Sequence, residues 1–77
     1  MTEPHRLELS DSEVIVLDAL LYQLTGRPDF EKLIPDEADR QAVHNLVCLL
    51  ERIDPAVLAD DCDEQLARAR RQLLGEP

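Results

Sequence analysis

The sequence predicts an all-α fold, a small bundle of three main helices with one or two extra short helical turns, and three observations carry that expectation. Apolar residues recur at three- and four-residue spacing through three long stretches, the period of a helix face. Each stretch opens on hydroxyl or acidic residues of the kind that cap a helix start. No stretch alternates apolar and polar residues as a half-buried strand does, and no internal repeat or Gly-rich loop is present.

The first helix is the most fully specified. Ser10 and Glu13 have the spacing of a capping box, in which each side chain satisfies a free backbone N–H at the other end. Leu9 and Val14 flank it as a hydrophobic staple, and Asp11 and Glu13 place negative charge at the positive end of the helix dipole. The helix is expected to run to about Thr25, with Gly26 as a left-handed C-cap and Pro28 barring continuation. At ~100° per residue its core stripe is Val14, Leu17, Leu20, Leu21 and Leu24. A second apolar stripe, Ile15, Ala19 and Tyr22, occupies much of the opposite side.

Phe30, Leu33 and Ile34 suit one short helical turn, with Asp29 as its cap and Pro35 as its end. The second long helix is expected from about Asp36 to Ile53, with Asp36, Glu37 and Asp39 crowding its first turn. Its core stripe reads Ala42, Val43, Leu46, Leu49, Leu50 and Ile53, which leaves Val47 and Cys48 outside. Asp54-Pro55 reads as an N-cap followed by proline at the first helical position. From there Leu58, Cys62, Leu66, Ala69 and Leu73 hold a helical rhythm. One continuous helix to Leu74 and a fresh helix capped at Asp60-Asp61 are both compatible with it. The organisation expected is a flexible lead-in over residues 1–8 and a single helical-bundle domain over residues 9–75.

Seventy-seven residues make a thin core, since a chain of this size hides only roughly 60% of its unfolded surface. Phe30 and Tyr22 are the only aromatic rings, so that core is aliphatic. Net charge is −9, and residues 1–64 carry 16 acidic against 5 basic side chains. Such a field disfavours phosphate backbones and anionic membrane surfaces and draws basic protein partners. Two cysteines, no signal-peptide pattern and no long apolar run lead to a cytoplasmic expectation. Seven Arg against one Lys suggests a GC-rich bacterial source.

Catalytic chemistry finds little to work with. Ser10 is accounted for by capping, and nothing orients Cys48 or builds an oxyanion site around it. Asp11-Ser12 resembles the attachment dipeptide of acyl carrier proteins in those two residues alone. Ser12 falls in the first turn of the first helix and Glu13 follows it, so no carrier function is inferred. His44 and Cys48 share a helical face, with Glu51 following on it. They would make half of a zinc or iron site, to be completed by Cys62, His5 or a second subunit. Cys62 falls on the last helix's core stripe, where a thiol serves as a small hydrophobe. No catalytic residue, metal or cofactor is therefore assigned.

The leftover apolar positions lead to a non-enzymatic interaction module, binding a protein partner and forming a homodimer. Ile15, Ala19, Tyr22, Val47 and Cys48 are the candidate contact residues. One alternative is an acidic inhibitor that mimics nucleic-acid charge to block a basic site on a nuclease or DNA-binding protein. Its surface would comprise Asp36, Glu37, Asp39, Asp60, Asp61, Asp63 and Glu64. A second alternative is a metal-binding regulatory protein that uses His44 and Cys48.

Overall fold

A computed structural model describes residues 4–56 and 59–75. Over those residues it is a small all-helical bundle of four helices: α1 (Asp11–Thr25), α2 (Phe30–Leu33), α3 (Glu37–Ile53) and α4 (Cys62–Leu73). Ahead of them, residues 4–8 are exposed and non-helical.

The capping box forms as its spacing requires. The Ser10 Oγ accepts from the Glu13 backbone N–H at 3.1 Å, and the Ser10 N–H donates to the Glu13 carboxylate at 2.9 Å. The far end of α1 differs from expectation. Gly26 has φ −84°, an ordinary right-handed value, and its N–H continues the helical pattern to the Tyr22 carbonyl. The Arg27 N–H then donates to the Leu24 carbonyl, so the chain leaves through a right-handed turn and needs no left-handed residue. Only Gly75, beyond α4, has a positive φ among the described residues.

Asp29 likewise does not cap α2. Its carboxylate takes the Arg27 guanidinium instead, at 2.8 and 3.0 Å. Asp36 does cap α3, accepting from the Ala38 N–H at 2.8 Å. Arg40 donates to the Ile34 and Pro35 carbonyls, and the Phe30 and His44 rings meet edge to face at 5.5 Å. These contacts fix the α2–α3 corner. After α3, the Asp54 carboxylate accepts from the Ala56 N–H, but no helix follows Pro55 directly. The last helix starts at Cys62, so residues 55–74 are not one helix; Leu58 lies outside the described residues.

Packing is organised around α1, which lies against both α3 and α4, and no other pair of helices packs comparably among the described residues. Both neighbours run back along it. The end of α3 brings Glu51 and Asp54 beside Asp18, while Leu66 and Ala69 of α4 pack around Val16 and Ile15. Ala56 and Ala69, both almost fully buried against Ile15, let the chain come close to α1. Ser12 donates to Gln72 and ties the start of α1 to the end of α4.

This hub arrangement rotates α3 relative to expectation. Val47 and Leu50 are buried and Val43 half-buried, while Leu46, Leu49 and Ile53 are exposed. The apolar arc of α3 is wider than one neighbour can cover, and α4 is committed to the other side of α1. On α1, Val14 is buried, and Leu17, Leu21 and Leu24 are partly covered. Leu20, expected in the core, remains 55% exposed.

Candidate functional site

The second stripe of α1 lines a groove. Ile15, Ala19 and Tyr22 form part of its wall, joined by Ala56 and by Leu66 of α4. The rest is polar: Asp18 of α1, Glu51 and Asp54 at the end of α3, and Cys62 and Asp63 at the start of α4. The groove measures about 480 Å³, which is in the range of small-molecule or side-chain pockets.

Asp18 is its most unusual member. The carboxyl is only 6% exposed, yet its Oδ1 has no hydrogen-bond partner. Burying a charged carboxylate with an unpartnered oxygen is costly, so the environment favours its protonated form. Desolvation, then the hydrogen bond and negative charge of Asp54 with a further push from Glu51, raises its pKa from 3.8 to about 7. In the sequence Asp18 is a polar interruption of a helix otherwise apolar nearly all round. Its one legible signal was a lone acid between apolar residues, which does not distinguish a buried carboxyl from an exposed one.

The sequence-derived contact residues separate. Ala19 and Tyr22 line the groove, and Tyr22 is 67% exposed. Ile15 lies in the core with Ala56 and Ala69 and reaches the groove only as part of its wall. Val47 is buried in the rotated face of α3. Neither Ile15 nor Val47 is therefore a free contact surface, because α4 and α1 already cover them. Cys48 is exposed.

Asp36, Glu37 and Asp39 surround the start of α3, whereas Asp60, Asp61, Asp63 and Glu64 surround the start of α4. The start of α4 lies beside the end of α3. The seventeen residues of α3, about 25 Å of helix, thus separate the two acidic groups, which do not merge into one patch. His44 is engaged with the Phe30 ring, and Cys62 is exposed, contrary to its expected place on the core stripe. That expectation rested on the apolar rhythm running from Leu58 through Cys62 to Leu73. With the helix starting at Cys62, the thiol stands at its open first turn beside Asp63. Among the described residues, no three of His, Cys, Asp and Glu converge to hold a metal ion. Nor is any described helix long and apolar enough to cross a membrane.

Compared with known proteins, the chain matches no family model, no curated protein and no solved structure.

Proposed function

We propose that this protein is a non-enzymatic interaction module that self-associates through the uncovered apolar side of α1 and α3. The observation that carries the reading is the exposure of three large side chains, Leu20 at 55%, Leu49 at 56% and Ile53 at 60%. Helical periodicity with α3 antiparallel to α1 sets Leu17, Leu20 and Leu24 on the same side of the pair as Ala42, Leu46, Leu49 and Ile53. Large apolar side chains left exposed on one side of a helix pair are the raw material of an interaction surface on a small globular fold.

Charge permits a second copy at this face. Each chain carries −9, so two copies repel except where acidic side chains are absent. Beyond Asp39, the exposed apolar side of α3 carries none, since Glu51 and Asp54 turn towards the groove. Area agrees. The chain exposes 6438 Å², against about 4,700 Å² for a compact monomer of its mass. Part of that excess belongs to the non-helical residues 4–10.

Light scattering coupled to size exclusion, over a concentration series, tests the reading. The expected result is a dimer mass that Leu49→Glu and Ile53→Lys each convert to a monomer with unchanged helical circular dichroism. A wild-type monomer at every concentration would sink the proposal.

A further inference from the structure

We propose that the groove between α1 and the α3–α4 junction receives an arginine side chain of a different, basic protein, whose guanidinium pairs with Asp18 and Asp54. This site lies on the opposite side of α1 from the proposed dimer face, and it stands or falls independently of that face.

Four features point to this occupant. Asp18 is 6% exposed with an unpartnered Oδ1 in the groove wall, a desolvated carboxyl oxygen whose hydrogen bonding is incomplete. The Asp54 carboxylate stands beside it; one oxygen binds the Ala56 N–H, and its hydrogen bond with the Asp18 carboxyl is the one a guanidinium would replace. A planar guanidinium carries five N–H donors in a fixed fork, which pairs with a carboxylate through two bonds and still has donors for a second one. The remaining walls suit the arginine stem: Ile15, Ala19 and Leu66 supply apolar surface, and the exposed Tyr22 ring offers a face for the cation. Glu51 of α3 and Asp63 of α4 add negative charge at the rim, and no Lys, Arg or His lines the groove among the described residues. Charge complementarity therefore selects a cation, and the apolar walls select one on a hydrocarbon stem.

Arrival of the guanidinium displaces the proton held on Asp18, so binding strengthens as pH rises. The titratable groups that share the groove with Asp18 are Glu51 from α3 and Asp54 just beyond it, Cys62 and Asp63 from α4, and Tyr22 from its own helix. Tyr22 is the only tyrosine, and the chain has no tryptophan. Its emission is thus a reporter placed in the site itself.

The test uses the full chain and a short alanine–leucine peptide carrying one central arginine, with a matched peptide carrying neutral citrulline. The arginine peptide is expected to change Tyr22 emission saturably, and the citrulline peptide to bind at least tenfold more weakly. Asp18→Asn and Asp54→Asn should each weaken the arginine peptide by about tenfold, with helical circular dichroism retained. The Asp54→Asn side chain keeps an acceptor for the Ala56 N–H, so that variant separates the site from the fold. Affinity of the wild type should rise several-fold between pH 6 and pH 8. Equal binding of the two peptides, or unaltered affinity in both variants, would overturn the proposal. A loss of wild-type oligomer mass in Asp18→Asn would overturn it too, because a second copy would then be supplying the cation.

Discussion

Replacing Asp18 by Asn should stabilise this protein above neutral pH, although it changes a residue in the heart of the bundle. The carboxyl is buried beside Asp54 and Glu51, and its folded-state pKa is raised from 3.8 to about 7. The direction of the effect follows from proton binding. Below pH 3.8 both folded and unfolded chains hold the proton, and Asp18 costs nothing. Between 3.8 and 7 the unfolded chain releases it while the folded chain keeps it, so stability falls as pH rises. Above 7 the loss is complete. A shift of that size corresponds to at most about 4 kcal/mol, and water in the open groove reduces the working value to about 2 kcal/mol.

Asparagine has nearly the same shape, never ionises, and donates to Asp54 through its amide. Urea unfolding followed by far-ultraviolet circular dichroism at pH 5.5 and pH 8 measures the difference. Wild type should lose stability between those pH values, whereas Asp18→Asn should stay nearly level. At pH 8 the variant should be the more stable by about 2 kcal/mol, or roughly 8–16 °C in Tm for a domain of this length. The low-pH side is kept apart by its own groups. Glu13 and Asp29 have lowered carboxyl pKa values through Ser10 and Arg27, so their contributions are present at pH 5.5 and vanish only in stronger acid. Parallel pH profiles for wild type and variant, or a variant less stable at pH 8, would refute the argument.

Three further outcomes follow from the same structure. Ser10→Ala removes the side-chain half of the capping box and should cost about 1 kcal/mol, read as a lower urea midpoint with an unchanged slope. Leu50→Ala empties the position of the one large side chain that is fully buried among the described residues; a loss of about 3 kcal/mol is expected, a large part of the stability of so small a domain. Both Cys48 and Cys62 are exposed, so both thiols should react with a disulfide reagent in the absence of denaturant. A single fast equivalent, with the second appearing only on unfolding, would return Cys62 to the interior.

The local features were determined by the sequence alone. The capping box at Ser10, the acidic start of α3, the breaks at Pro28 and Pro35, and the all-helical class depend on interactions within a few residues, which spacing exposes directly. Periodicity also identified a first helix apolar nearly all round, the pattern expected of a central element. Three things awaited the tertiary structure. Which part of the wide apolar arc on α3 faces inward depends on where α1 receives it, and that choice buried Val47 and uncovered Leu49 and Ile53. Whether Ile15 and Tyr22 share a fate depends on the reach of α4, which covers one and leaves the other on a groove rim. The status of Asp18 was the least legible, because a carboxyl's pKa is set by the desolvation and neighbouring charge around it, and those neighbours, Glu51 and Asp54, arrive from a distant part of the chain. A periodic pattern records which side of a helix is apolar; only packing decides which part of that side another helix covers.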